Sequence, residues 1–223
     1  MIDKIKAIIF DLDGTMVDNM MVHHHAWQEI LKDLGLDLQI DEVMAKVHGI
    51  NEEILERLFG DRLSPSERSR ISQEKEANYR KKYLTKLKLV DGLSEFIDLC
   101  SAHGIKLAVA TAAPKENLDF VLDNLKIRNN FQVTLHAGDV IQGKPDPEVY
   151  KKALTGLGIS PSECLVFEDS PTGAEAAQRA GIEVVVIKTT HGESDFRDLT
   201  VRRFINDFKE LKLSLDNTIN KTR

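Results

Sequence analysis

Cysteine is almost absent: Cys100 and Cys164 are the only two in 223 residues, each in an apolar setting and neither near a C-x-x-C or histidine partner. They read as core thiols in a reducing compartment rather than as a disulfide framework or a thiolate site. No stretch is long and apolar enough to span a membrane, and the N-terminus has no apolar block of the signal-peptide kind, so a cytoplasmic location is expected. Long basic runs are missing as well, and the formal net charge is −6, which argues against a nucleic-acid groove or an anionic membrane surface as partner. No coiled-coil pattern or large apolar stripe asks for a second chain, so a monomer is expected. One glycosylation sequon, Asn220-Lys221-Thr222, is chance in such a protein.

What is present is a chain with 42% hydrophobic residues, enough to bury a sizeable core in one domain with an insertion. The run Ala7-Ile8-Ile9-Phe10 is uninterrupted by polar residues and reads as a strand buried on both faces, as in parallel sheets. Residues 18 to 88 read as helix throughout. One helix runs from an Asn19 cap to about Leu34, two short ones cover Asp41 to Val47 and Asn51 to Phe59, the second capped by Asn51, and a long charged one opens at Ser64-Pro65-Ser66-Glu67 and runs to about Tyr83. His23-His24-His25 lies in the first of these. At most one or two of the three can share a helix face, so they do not form a three-histidine metal site.

A complete strand-helix-strand unit needs about 30 residues. The next strand, Lys106 to Ala110, lies far beyond that, so the helical run is an insertion placed directly after the first strand. From there helices and strands alternate. Strands are expected at 106–110, at Val133 to His136, at Cys164 to Phe167 and at Glu183 to Ile187, with helices from Leu93, Pro114, Asp146-Pro147 and Ser170-Pro171. That rhythm means a parallel, doubly wound α/β sheet. Four helices end in Gly35-Leu36, Gly104-Ile105, Gly158-Ile159 and Gly181-Ile182, the pattern of a Schellman cap. The tail Ser214 to Arg223 is polar and is expected to fray.

Chemistry-bearing residues collect where these strands end. Asp11-Leu12-Asp13-Gly14 follows the first strand, and in an open α/β sheet ligands bind beyond the carboxyl ends of strands. Two carboxylates held close and out of water need a raised pKa or a bound cation, although an Asx-turn would also explain an Asp-x-Asp-Gly. Thr111 and Ala112 end the second strand. Lys144 stands between Gly143 and Pro145, where a restricted backbone can aim it. Glu168 and Asp169 end the strand at 164–167, and Asp169-Ser170 before Pro171 also makes a good helix start.

In this order, F-D-L-D-G-T-x-x-D, V-A-T-A, G-K-P-D-P and F-E-D-S-P-T-G resemble the four motifs of the haloacid dehalogenase superfamily of phosphotransferases, and they cover residues 10 to 173. The resemblance implies a doubly wound, Rossmann-like core at 1–17 and 89–223, with a helical cap domain at 18–88. It implies that Asp11 is the nucleophile, forming an aspartyl phosphate, and that Asp13 is the general acid and base. Thr111, Ala112 and Lys144 would hold the phosphoryl group. Mg²⁺ would be bound by Asp11, the backbone carbonyl of Asp13, Asp169 and, in support, Glu168. A dehalogenase lacks the second aspartate, so Asp13 points to phosphate chemistry.

The cap is similar to that of the β-phosphoglucomutase-like branch, with His23 in the gating position, Gly49 opening a substrate loop, and Asn78-Tyr79-Arg80-Lys81 resembling an N-Y-x-K. On that likeness His23, Gly49, Glu52 and Lys81 are candidate substrate contacts. One departure matters: Glu52 stands where the mutase carries an arginine for the second phosphate, and a carboxylate cannot replace a bidentate guanidinium. The expected function is a Mg²⁺-dependent phosphatase acting on a small phosphorylated metabolite, a sugar or polyol phosphate. The alternatives are a phosphomutase, an inorganic pyrophosphatase and, from another class, a phospho-receiver protein.

Overall fold

The computed structural model of the protein describes residues 5–213 and 219–221. Its contacts divide the chain into two compact units, one made of Met1–Asp18 with Lys88–Arg223 and the other of Asn19–Leu87.

The larger unit is built on β1 (Ala7–Phe10), whose four residues are all fully buried. The smaller unit holds α1 (Met20–Asp33), α2 (Ile40–Lys46), α3 (Asn51–Phe59) and α4 (Pro65–Tyr83). After it the larger unit resumes with α5 (Leu93–Ala102), β2 (Lys106–Ala110), α6 (Lys115–Asn124), β3 (Val133–Leu135), α7 (Glu148–Leu157), β4 (Cys164–Glu168), α8 (Pro171–Arg179), β5 (Glu183–Ile187) and β6 (Arg203–Ile205). The six strands form one parallel sheet in the order β3-β2-β1-β4-β5-β6. The chain therefore winds outward from β1 through β2 to β3, then returns to place β4 on the other side of β1. That reversal is the topological switch point, where such sheets bind ligands.

Strand residues alternate between two cores, as the period of two demands. Ala7, Ile9, Ala108, Ala110, Val166, Val184 and Val186 share one core with Val149, Tyr150, Ala153 and Leu157 of α7 and Ala174 and Ala177 of α8. On the other face Phe10 stacks on Phe167 with ring centroids 5.3 Å apart, and Phe96, Phe131 and Phe208 surround it with centroids at 6.5, 6.3 and 6.0 Å. In the smaller unit Trp27, Ile30, Leu31, Val43, Ile54, Leu55, Phe59 and Ile71 form a separate core.

The four Gly-aliphatic pairs are Schellman caps, with Leu36, Ile105, Ile159 and Ile182 each donating back to the carbonyl five residues earlier. Lys126 makes a fifth, at φ 57, which no glycine signals. Two expected caps differ. Asn19 holds the cap position of α1, but its side chain makes no capping bond and instead donates to Tyr79 Oη at 2.6 Å. Asn51 is the first residue inside α3, and its amide donates to Glu76 Oε1 at 2.7 Å, so a tertiary partner replaces the local one in both cases. The edge strand β6 was not expected, because its apolar pair Phe204-Ile205 is flanked by Arg202-Arg203 and Asn206. The expected fraying of the tail is corrected in part: β8 (Ile219–Lys221) pairs antiparallel with β7 (Leu211–Leu213), which gives backbone groups on both strands a partner. Residues 214–218 and 222–223, and the expectation placed on them, lie outside the described residues.

Phe10 touches the whole aromatic cluster from the central strand. Phe10→Ala is therefore expected to cost about 3–5 kcal/mol of unfolding free energy, read from denaturant unfolding of the purified protein. A loss under about 1 kcal/mol would show that the cluster does not hold the sheet.

Candidate active site

Register alone brings the acidic groups together. Phe10 of β1 lies opposite Phe167 of β4, and Asp11 N donates to Phe167 O at 3.0 Å, so Asp11 and Glu168 leave adjacent strand ends side by side. Asp169 follows at once. Carboxylate oxygens of Asp11, Glu168 and Asp169 lie within 4.8 Å of one another, and all three residues are buried. Asp13 is half-buried in the turn after β1, where it bridges to Val17; its carboxylate is outside that group of three.

Lys144 joins the cluster from the segment before α7. Its Nζ donates to Asp11 Oδ1 and to Glu168 Oε1, each at 2.6 Å, and its side chain is only 8% exposed. Glu168 is further held by Tyr150 Oη at 2.9 Å and, on its other oxygen, by Asp169 N at 3.0 Å, Ser170 N at 3.1 Å and Ser170 Oγ at 3.1 Å. Ser170 Oγ also accepts from Gly173 N at 3.1 Å, so it caps α8 while its neighbours Glu168 and Asp169 face the cluster. Thr111 lies just past β2 and is buried; its Oγ1 accepts from Ala113 N at 3.0 Å, which leaves the hydroxyl proton for another acceptor. Ala112 beside it is exposed.

The electrostatics follow from this crowding. Burial, with Glu168 and Asp169 adding repulsion, holds Asp11 well above the usual carboxylate range in spite of Lys144. Asp169 is pushed up to about 7, first by burial and then by Glu168, against the Thr190 hydroxyl beside it. Burial also pushes Glu168 up, but there the Lys144 charge and the bonds from Lys144, Ser170 and Tyr150 win, and it stays below its ordinary value. For Lys144 burial disfavours the charge, yet Asp11 and Glu168 outweigh it and raise its pKa well above normal. Three buried acids against one base leave a net negative site with hard oxygen donors, which is the donor chemistry of a divalent cation. By contrast Cys100 and Cys164 are free, buried thiols that burial pushes up to about 12, so they are inert.

Several residues at the site were not singled out from the sequence. Thr15 Oγ1 reaches Asp169 Oδ1 at 3.4 Å, and His191 Nδ1 lies 3.1 Å from Asp169 O. Thr189 Oγ1 donates to Gly14 O, so the loop after β5 also lines this end of the sheet. Tyr150 repeats with Ala153, Leu154 and Leu157 along the inward face of α7 and reads from sequence as plain core. Only its hydroxyl could have hinted at more.

In the smaller unit His23 is buried, His24 half-buried and His25 exposed, which settles how three consecutive histidines share a helix. His23 Nδ1 is 2.8 Å from Lys75 Nζ, and its ring stacks on Tyr79 with centroids 3.7 Å apart. Lys75 also donates to Glu76 Oε1 at 2.8 Å and lies 5.6 Å from the centroid of the Trp27 ring. Burial raises the pKa of Glu76, but the charge of Lys75 and bonds from Lys75 and Asn51 leave it lowered. Lys75 is thus buried within this unit, whereas Lys81, Gly49 and Glu52 are exposed. Lys75 escaped notice because one buried lysine in a highly charged helix has no sequence signature.

Residues 8–187 match the family model for haloacid dehalogenase-like hydrolases. The chain is 30% identical to the phosphorylated carbohydrates phosphatase of Thermotoga maritima, over 80% of this chain and 82% of that protein. It is 29% identical to the fructose-1-phosphate phosphatase YqaB of Escherichia coli, over 84% and 99% of the two. A crystal structure of β-phosphoglucomutase from Clostridium difficile superposes with a TM-score of 0.80 at 24% identity, covering 93% of each chain, and so shares the fold. Among the described residues no helix is long and apolar enough to cross a membrane. With a match over most of its length, the strand order and the acidic cluster at its switch point, this chain belongs to the haloacid dehalogenase-like hydrolases, and its architecture is that of the branch containing β-phosphoglucomutase.

Proposed function

We propose that the protein is a Mg²⁺-dependent phosphatase acting on a small phosphorylated metabolite, a sugar or polyol phosphate, in a reducing, cytoplasmic setting. The observation that carries this reading is the meeting of Asp11, Lys144, Glu168 and Asp169 at the ends of β1 and β4. Asp11 is the nucleophile: its carboxylate oxygen bonds to phosphorus as the ester P–O bond breaks, and Asp13 gives its proton to the departing alkoxide. Asp13 then removes a proton from water, which attacks the aspartyl phosphate, releases inorganic phosphate and restores Asp11. Thr111 donates a hydrogen bond, and Lys144 a fixed charge, to the phosphoryl oxygens during transfer.

The residues fit a hard divalent cation. Asp11, Asp169 and the backbone carbonyl of Asp13 are the proposed protein ligands, with Glu168 in support. Mg²⁺, when bound, supplies positive charge against these carboxylates and the incoming phosphate. The names of the relatives support a phosphorylated sugar as substrate. Exposed Glu52 in the first turn of α3, which by resemblance stands where the mutase carries an arginine, favours water over a second phosphate ester as acceptor. In the smaller unit His23, Gly49, Glu52 and Lys81 are candidate substrate contacts by the same resemblance.

Asp11→Asn is expected to cut phosphate release by roughly a thousandfold or more while the folded state persists; unchanged turnover would remove Asp11 from the nucleophile's role. A panel of phosphorylated metabolites, with and without Mg²⁺, is expected to give metal-dependent phosphate release from sugar or polyol phosphates. Pyrophosphate belongs in the same panel. Glucose 1-phosphate with a trace of bisphosphate is expected to give free phosphate, and glucose 6-phosphate as the product would instead make the enzyme a mutase.

Asp169 adds a pH signature. Its pKa rises from an ordinary 3.8 to about 7, so between those values the native protein keeps a proton that the unfolded chain has released. This contribution to metal-free stability is therefore lost as pH rises toward about 7. A cation needs the deprotonated carboxylate, so the Mg²⁺-induced rise in Tm is expected to be larger at about pH 8 than at about pH 6. An equal rise at both would take Asp169 out of the metal site.

A further inference from the structure

Glu168 has more donors than it has room for. Lys144 Nζ and Tyr150 Oη share its Oε1 at 2.6 and 2.9 Å, while two backbone N–H groups and the Ser170 hydroxyl share Oε2. A carboxylate offers about four lone-pair directions. With five protein donors in place, a cation can gain Glu168 only by displacing one of them.

The donors are not equally easy to displace. Those on Oε2 are tied to the start of α8, where Ser170 Oγ in turn accepts from Gly173 N. Gly173 backs both oxygens: a Cβ there would sit 1.7 Å from Glu168 Oε1 and 2.5 Å from Oε2, so the carboxylate packs directly on the helix backbone and only side-chain donors can give way. On Oε1 Lys144 is held by charge. Tyr150 is the one neutral side chain on Oε1, it is fully buried in the core under the sheet, and the Lys144 Nζ lies 4.9 Å from its ring centroid.

We propose that Tyr150 is a positioning residue: its hydroxyl holds Glu168 Oε1 on the Lys144 side, against the pull of the metal, and thereby keeps Lys144 aimed at Asp11. The inference rests on the phosphatase reading above and extends it to a residue whose hydroxyl reaches the cluster through Glu168. Removing the hydroxyl alone frees Oε1 to turn toward the cation and loosens Lys144.

The test is Tyr150→Phe, which keeps the ring and its packing. Calorimetric titration of the metal-free protein with Mg²⁺ is expected to show binding about tenfold tighter or more, the size expected when a hydrogen bond to a charged acceptor stops competing. The same variant is expected to lose kcat several-fold with little change in KM, and to keep its Tm within a few degrees. In a Glu168→Gln background the Tyr150→Phe change is expected to leave Mg²⁺ affinity unaltered, because the contested oxygen no longer carries charge. A folded Tyr150→Phe protein with equal or weaker Mg²⁺ affinity, or with unchanged kcat, overturns the proposal. Failure of the functional reading itself is distinguishable, because the unsubstituted enzyme would then release no phosphate and take up no Mg²⁺.

Discussion

One lysine makes the catalytic end of this sheet possible. Three carboxylates leave neighbouring strand ends within 4.8 Å of one another, in a place where water cannot screen them. Lys144 answers with two 2.6 Å contacts, one to Asp11 and one to Glu168. A buried charge that is paired on one side only would be expensive, and breaking such a pair costs more than forming it gains. Here the lysine divides the acids into two kinds. Glu168, with its many donors, is comfortable as an anion, whereas Asp11 and Asp169 are pushed toward the protonated form. The two acids that burial pushes toward protonation are the ones proposed to face the cation and the phosphate.

The parallel sheet sets this up before any side chain is chosen. Because β4 returns to the far side of β1, the Phe10–Phe167 register places the loop after β1 beside the loop after β4, and Thr111 comes up beside them from β2 on the other flank. Stacked Phe10 and Phe167 sit immediately behind Asp11 and Glu168 in the chain, so the same residues that seal the aromatic core also hold the carboxylates level. Stability and chemistry share one row of the sheet, with only a peptide bond between them.

Much of this could be read from the residues. Apolar runs at Ala7–Phe10, Lys106–Ala110, Cys164–Glu168 and Glu183–Ile187 carry their strands without ambiguity, because strands buried on both faces have no polar alternation to mimic. Asp11, Thr111, Glu168 and Asp169 stand out because each ends a strand, where a chemical residue has little structural excuse, and Lys144 because Gly143 and Pro145 restrict its backbone. What escaped has the opposite character. β6 offers only the apolar pair Phe204-Ile205 between charged and polar neighbours, Lys126 takes a left-handed cap without being glycine, and Asn19 and Asn51 give up local capping for Tyr79 and Glu76, which lie 60 and 25 residues away. Tyr150 and Lys75 hide in helices where an aromatic reads as core and a lysine as solvated surface. Their partners come from elsewhere in the chain, and no local pattern encodes that.

Two glycines show how tightly the carboxylates are seated. Gly14, at φ +79, runs so close to Asp169 that a Cβ would lie 2.1 Å from Oδ2, and Gly173 is bare where Glu168 needs the space. Neither contact is a hydrogen bond, and neither could be inferred from the acids alone. Each glycine removes a side chain from the wall behind a carboxylate, so that the backbone of a turn or helix becomes that wall. A side chain at either place would have to move the acid by more than an ångström, and a site that relies on 2.6 Å contacts to one lysine cannot absorb such a shift. The glycines in D-x-D-G and in E-D-S-P-T-G therefore belong to the acid cluster as much as to the turns they make.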